Sequence, residues 1–206
     1  MHTHTHYRPS TADRIGIWIF MIVGAAIVIW SAIATASRIS QVLRGEGVPA
    51  SAHLIDIEAL APIGPEGAML PVQIDTATVI ATELSVAGFG AAILGPVVLF
   101  ATIATVVTCL TLLGRNSLRG HIFSRTNTRL VTTVGLTALV GFGIAPVIEG
   151  MVANDAITRL SAGDFTGYAV LAAQPLAFVL IAFAFGIVGT AYTIGARIQR
   201  ETEGLV

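Results

Sequence analysis

The stretch GRNSLRGHIFSRTNTR, residues 114–129, decides how this chain is read. It carries Arg115, Arg119, Arg125 and Arg129 and no acidic residue, and it separates two long apolar runs that hold no lysine or arginine. Short arginine-rich loops between apolar helices stay on the cytoplasmic side of a membrane, because moving their charge across the bilayer is unfavourable. The loop therefore orients the whole chain.

The composition agrees with a membrane solvent. The chain has 206 residues, of which 54% are apolar and only 11% charged, whereas a soluble domain carries about 25% charged residues. A net charge of -1 gives no bulk attraction to nucleic acid, so direct nucleic-acid binding is not expected. A bilayer core of about 30 Å needs roughly 20 apolar residues in a helix. Four runs meet that length: residues 15–36, 84–113, 130–152 and 168–196. The expected fold is an all-α membrane protein, a four-transmembrane-helix bundle forming a single membrane domain over residues 1–206. The second run exceeds one bilayer thickness, which implies tilt, a kink at Pro96, or helix continuing beyond the lipid. The spans are rich in small residues, which let helices approach closely where lipid gives no hydrophobic drive for association. On the fourth, Ala182, Gly186 and Gly189 are spaced to share one face, which is expected to pack against another helix of the chain.

Residues 38–78 form the one sizeable segment outside these runs. HLIDIEAL and LPVQIDTATV alternate apolar and polar positions, the period of a strand. APIGPEGA between them has the proline and glycine content of a turn. A small β-hairpin between helices 1 and 2 is expected, packed on the helix ends, since an isolated hairpin is marginal in water.

Orientation follows from counting arginines. With residues 114–129 inside, Arg8, Arg14, Arg115, Arg119, Arg125, Arg129, Arg197 and Arg200 are cytoplasmic, and only Arg38, Arg44 and Arg159 are outside. Both termini are then cytoplasmic and the hairpin is extracytoplasmic. The alternating His2, His4 and His6 read as a polar tail rather than a metal site. The single cysteine, Cys109, allows no intramolecular disulfide.

The second half of the chain resembles DUF2975, a family of bacterial four-span membrane proteins of unknown function. The resemblance rests on LLGRNSLRGHIFSRTNTRLVTTVG, in which Leu112, Leu113, Gly120, Phe123, Ser124, Asn127, Arg129 and Leu130 match the family pattern, and on the tail ARIQRETEGLV. It implies four spans and a plasma-membrane location, and a small helix-turn-helix regulator as the cytoplasmic partner. It implies no activity.

Two functional expectations follow, both non-enzymatic. In the first, the protein docks a cytoplasmic partner through Arg115, Arg119, Phe123, Asn127 and Arg129 together with the charged tail; anionic lipid headgroups compete for the same arginines. In the second, Glu83, Glu149 and Gln174, all near the outer ends of their helices, line a polar crevice open to the outside, as in a small transporter or ligand sensor. That reading requires Glu83 and Glu149 to face each other. Enzymatic chemistry is not expected: the spans hold no histidine, no zinc motif, no nucleophile elbow and no paired carboxylates at helical spacing. No cofactor and no metal is expected, and the bilayer is the one partner implied by composition.

Overall fold

A computed structural model describes residues 11–119, 124–161 and 175–203. The order of elements is helix, hairpin, helix, helix, helix: α1 Thr11–Arg44, β1 Val48–Ala61, β2 Leu70–Ala81, α2 Val86–Leu118, α3 Arg125–Leu160 and α4 Pro175–Glu203. Three helices are long and apolar enough to cross a membrane, namely α1 from Arg14 to Arg44, α2 and α3, and α4 adds a shorter apolar stretch, Leu180–Gly195. Large apolar side chains stay exposed along α1, Trp18, Ile22, Trp30 and Ile33 among them. A water-soluble fold rarely leaves so much contiguous apolar surface uncovered. The apolar helices point to a membrane protein.

The helices outrun their apolar cores. At about 1.5 Å per residue, the 33 residues of α2 measure roughly 50 Å against a hydrocarbon layer of about 30 Å. The helix runs through Pro96 and on to Leu118, so the expected loop at 114–129 is helical at both ends. Ser124 caps α3, its hydroxyl oxygen accepting the Asn127 N–H at 3.2 Å. At its far end α3 continues to Leu160, past residue 152 where the third apolar run ends. The extra turns are stabilised by burial of Ala153, Ala156 and Ile157 and by the contacts of Asp155.

The chain divides into two compact units. The first comprises Met1–Ile33, Phe100–Phe142 and Pro175–Val206. Its helices meet where side chains are small. A Cβ added at Gly24 would lie 2.9 Å from Val107, one at Gly135 would lie 3.2 Å from the Phe185 ring, and Gly141 lies under the buried Thr102. The expected packing of the α4 face is overturned. Ala182 and Gly186 are exposed, and nothing lies within 4 Å of a Cβ built at Gly186 or Gly189. The close contact of α4 is made instead by Phe185 filling the space left by Gly135. A large side chain opposite a glycine removes more surface than two small faces brought together.

The second unit, Ala34–Leu99 with Gly143–Gln174, holds the hairpin. β1 and β2 pair antiparallel from Val48↔Ala81 to Ala61↔Leu70, with an irregularity between His53 and Ile57. The turn contains a short 3-10 segment, Pro65–Gly67, closed by Gly64 N–H donating to Ala68 O at 2.9 Å. Period-two alternation buries Val48, Ala50 and Ala52 of β1 and Ala81 of β2. They join Val42 of α1, Ala91 and Ala92 of α2, and Ile148, Val152 and Ala156 of α3 in one apolar cluster. The base of the hairpin is thus packed on three helices, which supplies the burial an isolated hairpin lacks.

Candidate functional site

The second unit contains a cleft of about 440 Å³, within the range of roughly 300–1,000 Å³ common for small-molecule sites. Each wall comes from a different element. Thr35 and Arg38 lie near the end of α1, Pro49 and Ser51 on β1, Thr78 on β2, Ala91 to Leu99 on α2, and Ala145, Glu149 and Val152 on α3. Pairing in the sheet sets Ser51 directly opposite Thr78, so both hydroxyl-bearing side chains lie on the face that forms this wall. The positions flanking Ser51 on β1, Ala50 and Ala52, are buried in the core. Alternation along the strand therefore separates core from cleft.

Two charges face this space. Arg38 is half-buried and one of its Nη2 hydrogens is donated to the carbonyl of Pro49, which holds the guanidinium on the hairpin side. Glu149 is exposed, and among the described residues its carboxylate has no ion-pair or hydrogen-bond partner. The two line the same cleft without forming an ion pair. Thr35 donates its hydroxyl to Pro96 O at 3.4 Å, tying α1 to α2. Proline has no N–H, so Pro96 leaves the carbonyl of Ala92, one turn earlier, without its regular helical donor.

The sequence placed Glu83, Glu149 and Gln174 together. Glu83 is exposed in the segment before α2 and does not line the cleft, so the expected pairing of Glu83 with Glu149 is absent; the charge that shares the cleft with Glu149 is Arg38. Gln174 lies outside the described residues. Sequence reasoning counted Arg38 only as an outer charge. The signal that could have found it is its position: an arginine directly after an apolar run.

The arginine-rich connection belongs to the first unit. Arg115, Arg119, Arg125 and Arg129 are all exposed, and among the described residues none has an acidic partner. Asn127 does not belong to an accessible face. Among the described residues it is the largest fully buried side chain, and its Oδ1 accepts from Asn116 Nδ2 at 2.8 Å, joining the end of α2 to the start of α3. The amide is buried because the first turn of α3, capped by Ser124, sets it against the end of α2, which sequence spacing alone does not reveal. Phe123 lies outside the described residues, as do His2, His4, His6 and His121.

Asp155 lies beyond the third apolar run, which ends at residue 152, and sits on α3. Its Oδ2 accepts the Ser85 N–H at 2.7 Å while the Ser85 hydroxyl oxygen accepts the Gly88 N–H at 2.9 Å. A carboxylate at the N-terminus of α2 answers both its unpaired N–H groups and its dipole. Arg159 pairs with Asp155 from the next turn at 3.6 Å. Among the described residues no three His, Cys, Asp or Glu side chains converge to hold a metal.

These features define a membrane protein with a hairpin seated on three helices and a cleft beside it. Compared with known proteins, the chain matches no family model, no curated protein and no solved structure.

Proposed function

We propose that this is a bacterial plasma-membrane protein that crosses the bilayer four times, with both termini and the arginine-rich connection in the cytoplasm and the hairpin outside. The fourth crossing is assigned to α4, whose apolar stretch Leu180–Gly195 extends on both sides within a 29-residue helix. The arginine distribution supports the orientation, and the resemblance to DUF2975 supports the bacterial setting.

On this reading the protein is a non-enzymatic ligand binder, a sensor or small transporter whose site is the cleft between the hairpin and the helices. The observation that carries it is the unpartnered Glu149 in the same cleft as Arg38. Opposite charges that line one cleft without meeting each other offer a polar ligand two charged contacts. The test is extraction and mass spectrometry of ligands from the purified protein and from Thr78→Trp. Thr78 is exposed on a strand that tolerates aromatic residues, so the substitution fills the cleft without disturbing the core. A molecule carried by the wild type and depleted in the variant is expected. Identical extracts refute the reading.

A second reading rests on a separate observation, the four exposed arginines that have no acidic partner among the described residues. They suit a cytoplasmic protein partner, which the family resemblance puts as a helix-turn-helix regulator. Recovery of partner by Arg119→Gln/Arg125→Gln protein at the wild-type level removes this reading.

A further inference from the structure

The cleft is lined by chemically different groups on different elements, and they specify a ligand more narrowly than its volume does. Arg38 retains further N–H donors beyond the one given to Pro49, since a guanidinium carries five. The paired hydroxyls of Ser51 and Thr78 lie on the same strand wall, and neither has a hydrogen-bond partner among the described residues. A planar guanidinium beside neutral donors is the arrangement that recognises a phosphate or carboxylate. Glu149, on the α3 wall, is an acceptor only. It calls for a cation that donates hydrogen bonds.

The two charges could neutralise each other directly, but the bond from Arg38 to Pro49 holds the guanidinium to the hairpin while Glu149 projects from α3. A single ligand carrying both charges would satisfy both. The remaining wall, with Ala91, Leu99, Ala145 and Val152, is apolar and suits a hydrocarbon portion.

We propose that the cleft binds an amphiphilic zwitterion, an aminoalkyl phosphate whose anionic oxygens sit on Arg38, Ser51 and Thr78 and whose primary ammonium is held by Glu149. The inference rests on the cleft being a ligand site and adds the class of ligand. The same headgroup chemistry can come from a membrane phospholipid or from a free aminoalkyl phosphate. A quaternary ammonium has no N–H to give Glu149, and a headgroup without an amine leaves Glu149 unpaired; both should bind poorly.

The test is calorimetric titration of the full-length protein in dodecyl maltoside with dihexanoyl phosphatidylethanolamine, the matching phosphatidylcholine and phosphatidylglycerol, and free phosphoethanolamine. The ethanolamine lipid or free phosphoethanolamine should bind about tenfold or more tightly than the choline and glycerol lipids, the scale of one charge-assisted hydrogen bond. Glu149→Gln should bring the ethanolamine lipid to the level of the glycerol lipid, and Arg38→Gln should weaken all the phosphates. Binding of the lipid alone assigns the source to the membrane; comparable binding of phosphoethanolamine assigns it to a free metabolite. Equal affinity for ethanolamine and glycerol lipids, an unchanged preference in Glu149→Gln, or no binding by any probe overturns the zwitterion. If Thr78→Trp abolishes lipid binding while the preference is absent, the cleft is a site for another class. If Thr78→Trp leaves binding unaltered, the cleft reading itself falls.

Discussion

Gly88→Ala and Asp155→Ala form a double-mutant cycle whose outcome the geometry around the start of α2 sets. A Cβ on residue 88 would run into Asp155 Oδ2 and lie 2.8 Å from its Cγ, closer than such atoms approach. The carboxylate must then swing away, and the 2.7 Å bond from Ser85 N–H is lost with it. Asp155→Ala removes the same bond by deleting the acceptor. A hydrogen bond to a charged group contributes about 1.5–3 kcal/mol, and a carboxylate at a helix N-terminus roughly 0.3–1 kcal/mol more. The pair with Arg159, 44% exposed on the arginine side, adds little. Each single substitution should therefore destabilise by about 2–3 kcal/mol. In the double variant the bond can be lost only once, and with the carboxyl gone the alanine at 88 fits. Its better helix propensity, worth up to about 1 kcal/mol against glycine, is then felt. The double variant should be no less stable than Asp155→Ala, giving a coupling of about 2 kcal/mol or more. Unfolding in mixed dodecyl maltoside and SDS micelles measures all four proteins. Additive effects, within the roughly 0.5 kcal/mol seen for independent sites, would refute the proposed link between α3 and the start of α2.

Asn127→Ala should destabilise by about 1–3 kcal/mol, the cost of leaving Asn116 without its buried partner, whereas Arg119→Gln should change stability by less than about 0.5 kcal/mol; the same micelle unfolding assay compares them. Gly135→Leu should cost about 1–3 kcal/mol by driving into Phe185, while Gly186→Leu, with open space around it, should leave monomer stability unaltered; equal losses would restore the buried α4 face. In a Cys109→Ala background, Glu66→Cys should react with an impermeant maleimide on intact cells and Arg119→Cys only after permeabilisation, and the reverse pattern would invert the proposed topology.

Much of this architecture can be read from composition and periodicity because bilayer burial acts on whole segments. A run of some twenty apolar residues needs no partner to be recognised as a helix long enough to span, and the orientation proposed above rests on the charge of the arginines of residues 114–129 alone. The hairpin was legible for the same local reason: alternation in two segments, with prolines and glycines between them. Tertiary structure decided what depends on which helices lie side by side. Ala182, Gly186 and Gly189 have the spacing of a packing face, yet α4 makes its close contact through Phe185, because contact requires a partner surface and spacing names none. Asn127 has the composition of an exposed turn and is buried by its bond to Asn116. Asp155 reads as a loop acid and caps a helix that begins 69 positions earlier in the chain, at Val86. The cleft is the fullest case. Arg38, Ser51, Thr78 and Glu149 stand far apart in the sequence with no shared period, and only the seating of the hairpin on α1, α2 and α3 brings their donors and acceptors around one space.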